Sequence, residues 1–166
     1  MSDLTSEQLR ELLNYDPQTG VFMWCNPITN AVKAGQSAGH VDKSHGYRKI
    51  SVAGGQYYAH RLAWFYMTGK WPRSQIDHIN MDRADNRFCN LREATNAENN
   101  NNRGLSRRNT SGAKGVHFFR RVKKWKVAIR NNGQQIHLGY FSTKSEAEAA
   151  YARAAEDLHG EFRRLR

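Results

Sequence analysis

The residues able to do chemistry crowd into one stretch: Ile76-Asp77-His78-Ile79-Asn80, then Asp82, Asp85, Asn86 and Arg87, then Asn90-Leu91-Arg92-Glu93-Ala94-Thr95, and Asn99 at the head of four consecutive asparagines. Polar side chains this dense in a small chain need partners or a task, since a buried polar group without a hydrogen bond costs roughly 2–7 kcal/mol. An imidazole beside a carboxylate suits phosphodiester hydrolysis, because a His with an ordinary pKa of about 6.5 can take a proton from water near neutral pH. The same reaction needs a cation against the charge that develops on the phosphate oxygens. Carboxylate and amide oxygens are the hard donors that Mg²⁺ or Mn²⁺ takes. Zinc would need soft ligands, and neither His40 nor His45 has a cysteine near it.

Neighbouring residues on a strand point to opposite faces, so Asp77 and His78 share a site only where a strand ends or bends. Downstream, Thr95 is a good N-cap with Glu98 at the capping-box position, which puts Asn99 in the first turns of a helix whose amide could face the Asp77 strand. The local order is strand, strand, helix.

Asp77-His78-Ile79-Asn80, Asp85-Asn86-Arg87, Asn90-Leu91-Arg92 and Asn99 resemble the HNH (ββα-metal) endonucleases of phages and mobile introns, a likeness that extends back through His60-Arg61-Leu62-Ala63-Trp64 over roughly residues 5 to 102. The resemblance implies that His78 is the general base and that Asp77 and Asn99 ligate one divalent metal ion, Mg²⁺ or Mn²⁺. It also implies that Asn90 fixes the motif and orients His78. Asn99 stands where relatives often carry His; it leaves one anionic protein ligand, so the DNA phosphate is expected to join the coordination sphere. Met81 stands where many relatives have Gly, and the turn is expected to change type. His60 is read as a capped or buried structural histidine. Arg61 and Arg87 either reach phosphate or pair with nearby carboxylates.

Positioning these groups requires a core. The 166 residues include 18 aromatics, which suffices for one or two small domains. Thr5 with Gln8 forms a capping box, and Leu4 with Leu9 a hydrophobic staple, ahead of a helix through Leu12 and Leu13. Residues 14–20 are turn formers leading into a strand over 21–24, and 25–46 reads as mostly loop. Residues 47–52 and 56–59 flank Ala53-Gly54-Gly55 as a hairpin, and His60 to Tyr66 forms a helix stopped at Gly69.

Charge is distributed unevenly. Residues 1–102 carry 11 Lys/Arg against 10 Asp/Glu, residues 103–130 carry 10 against none, and residues 131–166 carry 5 against 5. So concentrated a positive block attracts a phosphate polyanion and releases its counterions, which makes nucleic acid the leading partner. Residues 103–113, with Arg107 and Arg108, read as a basic linker that orders on DNA. Strands over 115–119, 125–130 and 135–138 follow, with a turn at Asn131-Asn132-Gly133. A helix capped by Thr143 and Glu146 then carries Ala147, Ala150, Tyr151, Ala154 and Leu158 as its packing stripe. Trp125, Val127 and Ile129 should face that helix, and Lys126, Ala128 and Arg130 the other side.

Lys114-Gly115-Val116-His117, the segment Lys124 to Arg130, Leu138-Gly139-Tyr140-Phe141 and the Ala-rich helix are together similar to an AP2 domain. That resemblance implies a β-ribbon entering the major groove. Its DNA-facing set would be Lys114, His117, Phe119, Lys126, Arg130, Gln135 and His137, with Arg120, Arg121, Lys123 and Lys124 on phosphates.

The fold class expected is therefore α+β: a ββα-metal HNH nuclease domain at 1–102, a basic linker at 103–113, and at 114–166 a three-stranded antiparallel sheet packed on one helix. The function expected is a metal-dependent DNA endonuclease of phage homing type, a monomer in the host cytoplasm acting on double-stranded DNA without a small-molecule cofactor. A non-catalytic DNA-binding regulator and an RNA-binding protein are the competing readings. No apolar run is long enough for a membrane helix, and Cys25 and Cys89 are too isolated for a disulfide framework or zinc knuckle.

Overall fold

The computed structural model describes residues 4–29 and 31–165. It divides into two compact units, Met1–Ala94 and Thr95–Arg166, and its fold is mixed α and β with small antiparallel sheets, in accord with the expected class.

In the first unit, helix α1 (Ser6–Leu12) begins at Thr5, whose side chain accepts from the Gln8 N–H while the Gln8 side chain accepts from the Thr5 N–H. Leu4 and Leu9 are both buried. Leu13 leaves the helix and opens strand β1 (Leu13–Asp16), which pairs antiparallel with β2 (Val21–Trp24). The turn-forming residues 14–20 thus hide a strand, because Leu13 and Tyr15 alternate inward between Asn14 and Asp16. A second sheet has the order β3 (His40–Val41), β4 (Arg48–Val52), β5 (Gly55–Tyr58). Its hairpin turns at Ala53-Gly54, both with positive φ (49° and 75°), the geometry that matches strand twist in a two-residue connection.

Helix α2 (Ala59–Thr68) is one turn longer than expected and stops where Gly69 adopts φ 69° and gives its N–H to Phe65 O. Leu9, Leu13, Phe22, Ile50 and Leu62 are wholly buried together, each contributing roughly 1.5–3 kcal/mol. A hairpin of β6 (Gln75–His78) and β7 (Leu91–Ala94) completes the unit, with a 3₁₀ turn at Phe88–Asn90.

The second unit starts with helix α3 (Asn96–Asn102), capped reciprocally by Thr95 and Glu98. Strands β8 (Val116–Phe119), β9 (Lys124–Asn131) and β10 (Gln134–Phe141) form a sheet with β9 central, and helix α4 (Lys144–His159) packs on one face. The buried row of α4 is Ala147, Tyr151, Ala155 and His159. This corrects the expected stripe: Leu158 is exposed, and His159 turns inward so that its Nε2 meets Arg130 O at 2.9 Å.

Candidate active site

Strand β6 ends at His78, the condition under which adjacent Asp77 and His78 can serve one site. Both are about 4% exposed. The register sets Asp77 opposite Arg92 on β7, and Arg92 Nε and Nη2 both donate to Asp77 Oδ2, at 3.0 and 2.9 Å. The sequence reading left Arg92 without a role; cross-strand pairing is what supplies this buried carboxylate with its counter-ion. Removing one partner of such a pair strands the other charge, so Arg92→Met is expected to destabilise the protein by about 3–5 kcal/mol in denaturant titration. A change below about 1 kcal/mol would show that Asp77 does not depend on it.

His78 Nε2 lies 3.4 Å from Asn86 Oδ1. The amide is oriented by its Nδ2, which donates to Ala84 O at 3.0 Å, so the oxygen faces the ring, the arrangement that suits the tautomer protonated on Nε2. The lone pair of neutral His78 is then on Nδ1. Burial pushes the His78 pKa below its ordinary value, against the opposing pull of the Asn86 bond and of Asp77, Asp85 and Asp82, so the ring is neutral at pH 7 and able to accept a proton.

Asn86 is itself only 2% exposed and is braced by the N-terminal hairpin. Tyr15, whose phenol burial keeps protonated, donates to Asn86 O at 2.6 Å. Gly20 (φ 73°) leaves space that a Cβ would fill, within 2.4 Å of the Asn86 and Arg87 backbone.

Asn90 ties the intervening loop together. Its Oδ1 accepts from the Asn80 N–H, and its Nδ2 donates to Asn80 Oδ1 and to Asp85 O, all within 3.0 Å. Its side chain thus fixes the motif, while a side chain that meets the His78 ring is that of Asn86, which sequence reasoning passed over among so many asparagines. Met81 adopts a left-handed φ of 67°, the region that favours glycine, so its side chain carries strain. Met81→Gly is accordingly expected to raise stability by up to about 1 kcal/mol, read as a higher Tm. A fall in Tm would mean that Met81 packing outweighs the strain.

His60 is buried, with its ring edge against His78 at 5.1 Å and its Nδ1 without a hydrogen-bond partner. Burial holds its pKa down at about 3. Arg87 makes a bidentate pair with Asp85 (2.8 and 2.6 Å) and holds that carboxyl down at about 2, and Arg61 donates to Ser74 O.

Asn99 lies in α3, its N–H bonded to Thr95 O. Asp77 in the first unit offers a carboxylate oxygen and Asn99 in the second an amide oxygen, each by itself the kind of hard donor that Mg²⁺ or Mn²⁺ takes. Among the described residues no three His, Cys, Asp or Glu side chains converge as a metal cluster.

In the second unit, Val127 and Ile129 are buried toward α4. By register, His117 pairs with Lys126, Phe119 with Lys124, and Gln135 with Arg130, while His137 lies opposite Ala128 on the outer face. A bulge between His137 and Gly139 shifts the alternation and brings Tyr140 to that face too, against His137 (4.9 Å) and Phe119 (5.9 Å). Strict period-two reading would have turned Tyr140 inward. Lys114 Nζ donates to Asn101 O (2.6 Å) and Arg103 O (2.8 Å), and burial lowers its pKa to about 8. Arg121 is exposed at the β8–β9 turn, as are Arg107 and Arg108 at a turn of residues 106–109. Asn109 Nδ2 and Ser111 Oγ donate to Ala113 O while the Gly112 N–H donates to Asn109 Oδ1, closing a further turn, and this segment lines a hollow of about 270 Å³ with His117, Ala128 and Gln135.

The family model described as HNH endonuclease matches residues 57–101. The chain is 32% identical over 110 residues to Protein 3.8 of Escherichia phage T7, covering 64% of this chain and 88% of that one. It is 31% identical over 117 residues to an uncharacterized HNH endonuclease of Acanthamoeba polyphaga mimivirus, covering 68% of this chain and 59% of that one. A 54-residue stretch, 32% of the chain, is 41% identical to an AP2-like ethylene-responsive transcription factor of Arabidopsis thaliana and spans 11% of it. No solved structure matches at comparable strength. The chain belongs to the HNH endonuclease family, and its activity is that of a nuclease.

Proposed function

We propose that the chain hydrolyses double-stranded DNA using His78 as general base and one divalent ion, Mg²⁺ or Mn²⁺, held by Asp77 and Asn99. The observation that carries this reading is the buried Asp77-His78 pair at the end of β6, with the Asn86 amide oxygen facing the His78 ring. Nδ1 of His78 takes the proton of the attacking water. Asn86 and the Tyr15 hydroxyl keep the ring and its loop in place during that transfer. Arg92 holds Oδ2 of Asp77 and so limits how the carboxylate can turn. When bound, the cation neutralises charge on the non-bridging and leaving oxygens of the phosphate.

The domain assignment proposed is a nuclease module at 1–102, a basic connection at 103–113 and an AP2-like module at 114–166. In the latter the outer sheet face, with His117, Phe119, Lys126, Arg130, Gln135 and His137, reads the major groove, while Arg107, Arg108, Arg121 and Lys124 meet phosphates. The phage and giant-virus relatives support a homing endonuclease of phage or mobile-element type. The likeness to a plant transcription factor supports targeting by the second module.

Incubation with supercoiled plasmid, with Mg²⁺, with Mn²⁺ and with chelator, tests the reaction. Nicked or linear product that appears only with metal is expected. DNA binding without any metal-dependent product would favour a non-catalytic regulator.

A further inference from the structure

Beside His78 the first unit carries a chain of rings that the hydrolytic mechanism does not use. The His60 ring has its edge on His78 (5.1 Å) and lies parallel to Tyr58, at 10° and 5.4 Å. Tyr47 touches His78 (5.9 Å), His60 (5.1 Å) and Tyr58 (5.3 Å). Cations cover the two tyrosines: the Arg83 guanidinium is 4.9 Å from the Tyr47 ring centre, and the Lys49 ammonium 5.6 Å from that of Tyr58. Lys49 also pairs with Asp42. Arg83, by contrast, donates to His45 O and makes no ion pair among the described residues.

This wall is not explained by core packing. Tyr58 and Arg83 are exposed, and the core side of the β4–β5 hairpin is formed instead by Ile50, Val52 and Tyr57. His60, at its base, holds a buried Nδ1 with no partner, a feature that costs stability. An aromatic pair flanked by a guanidinium with no ion-pair partner among the described residues is the chemistry that meets a nucleic-acid strand: rings lie against sugars or bases, and guanidinium meets phosphate. Its ring contacts are continuous with the candidate general base.

We propose that Tyr47, Tyr58, Lys49 and Arg83 form a DNA-backbone subsite in the nuclease unit, seating the nucleotides next to the phosphate that is cut. This rests on the DNA-nuclease reading above. Arg83 would hold a phosphate and Tyr58 would offer its ring face and hydroxyl.

The test uses the full chain and a plasmid-derived duplex, with affinity measured in chelator across a salt series and cleavage measured separately with metal. Tyr58→Ala and Arg83→Ala are each expected to weaken binding about 5- to 10-fold, and Arg83→Ala to lower the salt slope by about 0.9. Arg83→Lys should restore most of the lost affinity, because charge rather than shape is being supplied. Wild-type affinity and slope in both alanine variants, with wild-type protein cutting normally, would overturn the subsite and leave the nuclease reading standing. Loss of affinity that Arg83→Lys does not restore, together with a lowered Tm, would also overturn it, since the effect would then be structural. A wild-type protein that neither binds nor cuts the duplex would overturn both.

Discussion

Replacing His78 with alanine is expected to lower DNA cleavage by ~10²–10⁴-fold while DNA affinity stays within about twofold of wild type, the pattern of a lost general base. His78 is 4% exposed, so it adds little surface to a DNA interface, and its removal takes away the proposed acceptor of the water proton. The comparison is single-turnover cleavage at saturating duplex, with binding measured in chelator. Parallel loss of cleavage and binding would indicate a disturbed fold, and a rate within about threefold of wild type would assign the base to another group. Asn86→Ala should move the same readout in the same direction by a smaller factor, because it acts only through the orientation of His78.

The second large effect is electrostatic. Arg120, Arg121, Lys123 and Lys124 are all exposed around the β8–β9 turn, and none makes an ion pair among the described residues. Converting the four to glutamine is expected to reduce the slope of log affinity against log salt by up to about 3.6, at about 0.9 per phosphate contact, and to weaken binding on the order of 10²-fold near 0.15 M salt. An unchanged slope would show that the turn does not touch DNA. Lys114 serves as an internal contrast: its ammonium is already engaged by two carbonyls, so Lys114→Gln should alter stability and leave the slope alone.

Much of the fold follows from local signals. Each of the three capping boxes, at Thr5, Thr95 and Thr143, starts a helix at the next residue, because a side chain that satisfies an orphan N–H acts within one turn. Gly69 ends α2 and Gly133 turns β9 into β10 for an equally local reason, a positive φ. What was missed depends on partners distant in sequence. Strand β1 exists because Leu13 and Tyr15 find β2, although Asn14, Asp16 and Pro17 have turn composition. The bulge that turns Tyr140 outward is visible only in the pairing of β10 with β9.

The site divides in the same way. Asp77, His78 and Asn90 stand out by type and spacing, and the structure places all three in the β6–β7 hairpin or the loop it closes. Asn86 and Arg92 gain their roles from contacts with His78 and Asp77, and spacing along the chain carries no record of those contacts. Gly20 lies 66 residues from the asparagine it abuts, and only the coordinates of the two backbones show why a side chain would not fit. A capped or buried structural role for His60 is legible at the start of an apolar helix, and the ring is buried, but its contact with His78 depends on how α2 meets β6.

In the proposed mechanism Asp77 and the Asn99 amide hold one cation within reach of His78. A crystal structure of the protein on duplex DNA with Mn²⁺, located by its anomalous scattering, tests this most directly. The prediction is one ion about 2.1 Å from an Asp77 oxygen and from the Asn99 amide oxygen, touching a DNA phosphate, with a water between that phosphate and His78 Nδ1. An ion bound elsewhere on the chain, or a scissile phosphate remote from His78, would contradict the account.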